Sequence, residues 1–220
     1  MRTFKGHIRG GYLAALSLIL IGCAGGQEHL SPGIDPVPRA VTVSSADIPV
    51  VIAAPQGFCV DRATIDENPQ GVFMFLSDCH IRENGRGART PITAILTASV
   101  SPSGLPGVEQ GLKPALTALA QFLNTPVGAF SLSKSNVEGA ANILESKQSE
   151  RALYLLIHDT AFNDQAGASN RFWRAFTEIN GRLVALSVTG YNGNDPDEER
   201  ALRIIRAFMQ TTLDANMVTP

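Results

Sequence analysis

His158 and Asp159 are the closest approach in this chain to a base with an orienting acid. They end the apolar run Ala152 to Ile157, which reads as a central strand. Neighbours in a strand point to opposite faces, so the two side chains are badly placed to act on one atom. The expectation is a strand-end histidine beside a surface carboxylate, with His158 kept as a candidate binding contact. Of the other histidines that a signal cut would leave, His29 lies in a Gly-, Pro- and Ser-rich tether and His80 follows Cys79 in a polar loop. Asn192 to Glu198 concentrates oxygen ligands that suit Ca²⁺, but their spacing is not that of an EF-hand loop. Asp195 and Glu198 are instead expected to cap a helix. Arg82, Arg86 and Arg89 form a basic loop that could meet an anionic partner, such as a lipid head or a peptidoglycan carboxylate. A solvated loop is the simpler reading. There is no Gly-x-Ser-x-Gly elbow, no His-Glu-x-x-His, no phosphate loop and no dinucleotide fingerprint. No catalytic set, metal site or cofactor is expected.

The cysteines are more informative. Arg2, Lys5 and Arg9 make a positive start, and Tyr12 to Ile21 is apolar apart from Ser17. Such a run suits a signal segment and is too short to cross a hydrocarbon core of roughly 30 Å as a helix. The motif that ends it, Leu20-Ile21-Gly22-Cys23, resembles the lipobox of bacterial lipoproteins. The resemblance implies cleavage before Cys23, a diacylglycerol thioether on its thiol and often an acyl chain on its amine. One chain holds a protein to membrane only marginally, whereas two or more hold firmly. Ala24 stands where aspartate signals inner-membrane retention, which leans toward the outer membrane. The alternative is an ordinary secretory signal cut near Ala24 or Gly26 and a soluble periplasmic product.

An exported chain meets an oxidising compartment, where Cys59 and Cys79 are expected to bridge. Both sit at strand-like edges, and Asp66, Asn68, Pro69 and Gly71 lie in a turn-rich stretch between them. Closing a loop of about 20 residues stabilises by roughly 3 kcal/mol, mainly through the unfolded chain. A redox or zinc role fits less well: the spacing is not Cys-x-x-Cys, and two thiols make an incomplete zinc site.

Removing residues 1–22 takes three basic residues and no acidic ones, which leaves 15 basic against 20 acidic residues, a charge of −5. That lacks the basic footprint of a nucleic-acid binder and the polybasic cluster that draws proteins onto anionic lipid. The covalent lipid would supply the membrane attachment.

The elements follow from pattern. Residues 23–47, rich in Gly, Pro and Ser, read as a flexible tether, and 48–216 as one folded domain. The domain opens with a strand over Val50 to Ala53. Val72 to Leu76 is apolar on both faces and is expected to be covered on both. In Ile92 to Val100, Ala94, Leu96, Ala98 and Val100 share one face. Leu112, Leu116, Leu119 and Leu123 mark a helix that Asn124-Thr125-Pro126 ends. Phe130 with Leu132, and Ala141 to Leu144, suggest short strands. Asn180-Gly181 joins Phe172 to Ile179 with Arg182 to Thr189 as a type I′ hairpin, placing Trp173, Ala175 and Thr177 on a face with Val188, Leu186 and Val184. The last element is a helix with Asp195 as cap, Pro196 in its first position and a stripe of Ala201, Leu202, Ile205, Phe208 and Met209.

Strands, a helix, more strands, a hairpin and a final helix imply an α+β fold: an antiparallel sheet of six to eight strands with two main helices and one disulfide. The closing hairpin and helix resemble the end of the PsbP-like α/β sandwich domains, a resemblance that implies fold and no activity. The expected role is a lipid-anchored, non-catalytic interaction or assembly module of the cell envelope, facing the periplasm. Its partner would be an envelope protein; a small-ligand-binding lipoprotein is the alternative, and a hydrolase of unfamiliar type the third.

Overall fold

The computed structural model describes residues 38–82, 94–162, 167–191, 193 and 195–217. Cys23, Arg86, Arg89, Asn192 and Asn194 lie outside the described residues.

The chain is α+β. Strands β1 (Ala40–Ser45) and β2 (Ile48–Ala53) form a separate antiparallel hairpin. The other strands are β3 (Phe58–Val60), β4 (Asp66–Asn68), β5 (Gly71–Asp78), β6 (Ala94–Val100), β7 (Ala141–Gln148), β8 (Leu153–Asp159), β9 (Ala168–Ile179) and β10 (Arg182–Tyr191). They build one eight-stranded antiparallel sheet in the order β3-β5-β6-β10-β9-β8-β7, with β4 added on β5. The helices are the single turn α1 (Cys79–Arg82), then α2 (Leu112–Leu123), α3 (Pro126–Leu132) and α4 (Glu198–Met217). No helix among the described residues is long and apolar enough to cross a membrane.

The closing hairpin has the expected register. Ile179 faces Arg182, Trp173 faces Val188 and Ala175 faces Leu186. Asn180 and Gly181 take φ of 52° and 72°, as the two-residue turn demands. Cys59 and Cys79 are bridged, with Cα atoms 5.0 Å apart, and the bond ties β3 to the end of β5.

Two apolar layers flank the sheet. On one face Trp173, Ala175, Leu186, Val188, Leu96 and Met74 pack against Ile205, Phe208 and Met209 of α4. Val43, Val50 and Ile52 of the β1–β2 hairpin complete that layer. Thus residues 40–47, expected to be tether, are strand and turn. Val41 and Val43 are too sparse to stand out among Ser and Pro, yet α4 and the sheet give them a surface to bury against. The opposite layer joins Leu116, Leu123 and Leu132 of α2 and α3 to Leu153, Leu155, Ile157, Phe172 and Phe176.

Three further expectations are corrected. Phe130 and Leu132 belong to α3, not to a strand. Thr125 caps that helix by accepting from Gly128 N (3.1 Å), and Pro126 takes the first helical position, so the residues that end α2 also start α3. A Cβ on Gly128 would lie 2.0 Å from the Phe122 carbonyl, so only glycine permits this crossing. Asp197, not Asp195, caps α4: its Oδ1 accepts from Arg200 N (2.7 Å). Finally, β5 is covered on one face only. Val72, Met74 and Leu76 are buried, while Phe73 and Phe75 are 38% and 39% exposed.

Candidate functional site

The second layer stops short. α2 and α3 contribute side chains over β7, β8 and β9, and among the described residues no side chain of β5 or β6 joins that core. Among the described residues that leaves the β6 and β5 part of this face uncovered by the two helices, while on β10 Leu183 and Ala185 pack against the second layer and Ser187 and Thr189 are buried. The rows of this face follow from register. Phe75 lies beside Thr97, Thr97 beside Ser187, and Ser187 beside Arg174. The adjacent row runs Phe73, Ser99, Ala185, Phe176. The two exposed phenylalanines meet edge to face with centroids 5.0 Å apart. A groove of about 310 Å³ opens at this end, lined among others by Asn68, Gln70, Phe73, Ser99, Leu183 and Ala185.

At the boundary between covered and open halves stand two half-buried cations. Arg174 is the one charge in the apolar run Phe172-Trp173-Arg174-Ala175-Phe176. Its Nε donates to Ser187 Oγ at 3.1 Å, and its guanidinium lies 5.4 Å from the Phe172 centroid. Lys134 arrives from the segment after α3. Its Nζ donates to Thr189 Oγ1 at 2.6 Å and sits 3.8 Å above the Phe172 ring, with Phe162 at 5.5 Å. Burial, and then repulsion from Arg174, push the Lys134 amine down to about 7, against a weaker pull upward from Asp159. Burial also lowers Arg174, to about 10. Among the described residues no carboxylate forms an ion pair with either group.

Asp159 fixes this arrangement. It is wholly buried, not at the surface as expected. It accepts from Ser133 Oγ (3.0 Å), Lys134 N (2.7 Å), Ser135 N (3.1 Å), Ser135 Oγ (2.9 Å) and Ala161 N (3.2 Å). Burial alone would raise its pKa, but the bonds from Ser135, Ser133 and Lys134 N outweigh that and hold the carboxyl below the usual range. The carboxylate therefore clamps the chain at Ser133 to Ser135 and aims Lys134 across the sheet.

The other candidate residues are scattered. His158 is half-buried on the α4 face, in register with Asn142 and Arg171, and so turned away from Asp159. His80 follows β5, four strand spacings from β8, or roughly 19 Å. Arg82 closes α1. Glu198 pairs with Arg171, and Asp195 packs on Gly190, so the acidic segment before α4 serves the helix start. Among the described residues no three His, Cys, Asp or Glu side chains gather as a metal set would.

Lys134, Arg174, Phe73 and Phe75 were not singled out by pattern. One signal was available: Phe172, Arg174 and Phe176 occupy the hairpin face opposite Trp173 and Ala175, where a lone charge between two phenylalanines has no reason in packing. No family model matches the chain, and no curated protein matches it.

Proposed function

We propose that this chain is a lipid-anchored cell-envelope protein whose folded domain binds without catalysing, and that the open half-face of the sheet is its binding surface. The observation that carries the reading is the pair Phe73 and Phe75, exposed on the face of the sheet that also carries Lys134 and Arg174, two cations with no carboxylate ion pair among the described residues. Large apolar side chains in contact with one another on such a face favour association. The envelope location rests on the lipobox-like run before Cys23 and on the disulfide, which suits an oxidising compartment. Binding fits the polar groups better than turnover does. Asp159 is consumed by five structural donors, and His158 faces the other side of the sheet.

The test is native mass spectrometry of the full chain isolated from membranes. The parent should carry a reproducible noncovalent adduct, and the double variant Phe73→Ser, Phe75→Ser should lose it while keeping its melting temperature. Adduct-free spectra for both proteins would overturn the binding surface.

A further inference from the structure

Lys134 and Arg174 stand over one phenylalanine ring in a protein with more acidic than basic residues. Two like charges drawn together away from water destabilise one another, and among the described residues no carboxylate forms an ion pair with them. The nearest acid, Asp159, is saturated by its own donors and holds the backbone of Lys134, not its ammonium. Only Nε of Arg174 has an acceptor among the described residues; the two terminal nitrogens are left to bind something else. Ser187 and Thr189, two residues apart on the same face of β10, are buried and accept one bond from each cation.

We propose that Lys134 and Arg174 are the head-group site for a single-chain carboxylate amphiphile, whose apolar tail lies across the open face of β6 and β5. The proposal rests on that face being a binding surface. A planar carboxylate matches the two-pronged guanidinium edge. From Arg174 the row runs past Ser187 and Thr97 to Phe75, three strand spacings or roughly 14 Å, within the reach of an extended acyl chain. Along that course the tail would pass Thr97 and Phe75 and end in the groove beside Phe73, Ser99 and Ala185.

The experiment uses the full chain held in amphipol and two photoactivatable probes, a dodecanoate and the matching dodecanol, with labelled peptides read by mass spectrometry. The acid should label the β5 and β6 peptides roughly tenfold more than the alcohol at equal concentration, the gain of one charge-assisted contact. Arg174→Gln, and separately Lys134→Gln, should bring acid labelling down toward that of the alcohol and leave alcohol labelling unchanged. Equal labelling of the parent by both probes would overturn the head-group site while leaving the binding surface standing. No labelling of β5 or β6 by either probe would overturn both. Displacement of the acid probe by dodecyl phosphate in preference to dodecanoate would overturn the carboxylate assignment. A dimer that dissociates on Phe73→Ser would put a second copy on this face and likewise overturn the proposal.

Discussion

Asp159 shows how a single buried acid can organise a surface without touching a ligand. Its carboxylate gathers side-chain and backbone donors from Ser133, Lys134, Ser135 and Ala161. Asparagine keeps the shape but turns one acceptor into a donor, so Asp159→Asn should cost about 2–3 kcal/mol at pH 7, measured by denaturant melts. The folded pKa lies below the unfolded value. Its contribution is therefore full above the unfolded pKa and is lost as pH falls through the folded one. The gap between parent and variant should shrink once pH drops below about 4. Lys134 also has a lowered folded pKa, so its contribution too rises with pH, in a higher window. Its folded pKa is lowered to about 7, so between that value and the unfolded pKa the unfolded chain binds the extra proton. Stability from this group rises as pH climbs from about 7 toward 10. Lys134→Met should remove that part of the rise, which thermal melts of parent and variant across the range would show.

At the scale of elements, the β1–β2 hairpin is a small two-stranded unit of a kind that is marginal alone. α4 holds it in two ways. Its apolar stripe buries Val50 and Ile52, and two polar residues pair with the free edge of β2. Asn216 Oδ1 accepts from Val51 N at 2.9 Å and its Nδ2 donates to Val51 O at 2.7 Å. Thr212 Oγ1 does the same more loosely at Ala53, at 3.4 and 3.2 Å. Side chains thus stand in for a neighbouring strand and cover an edge that would otherwise invite another chain. Thr212→Ala with Asn216→Ala should leave the central sheet protected and speed amide exchange at Val51 and Ala53 by roughly tenfold, a loss of about 1.4 kcal/mol of local protection. Unchanged exchange at those two amides would show that apolar contact alone holds the hairpin.

For the whole molecule the proposed anchor and the open half-face go together. A surface for an amphiphile works best where amphiphiles are concentrated, and a lipidated Cys23 would keep it there. Cut before Cys23 as proposed, the chain would carry a charge of −5 and no electrostatic pull toward anionic lipid, so attachment should depend on acylation alone. Cys23→Ser should accordingly move the protein from the membrane pellet to the soluble fraction, or leave it as an unprocessed precursor of higher mass, and abolish metabolic palmitate labelling. A variant that is processed, pellets with membranes and labels as the parent does would remove the anchor from the account.

Sequence determined the parts whose physics is local. Asn180-Gly181 sets a hairpin register because few residues accept two consecutive positive φ values. The 3.6-residue spacing of α2 and α4 and the alternation of Ala94 to Val100 mark buried faces in the same direct way. The cysteine pair was readable because the signal-like start implies export, and export leaves few other uses for two thiols. Neighbours distant in the chain decided the rest. Val72 to Leu76 looks doubly buried, and only the stopping point of α2 and α3 tells which half of the sheet is bare. Asp159 and Lys134 are 25 residues apart, yet one clamps the other, because β8 ends where the chain leaves α3. Lys134 and Arg174 become a pair only when that clamp and the β9–β10 register bring both onto Phe172. Pattern records what each segment prefers to bury; which surfaces stay uncovered depends on how far the packed layers extend, and that is settled by the assembled fold.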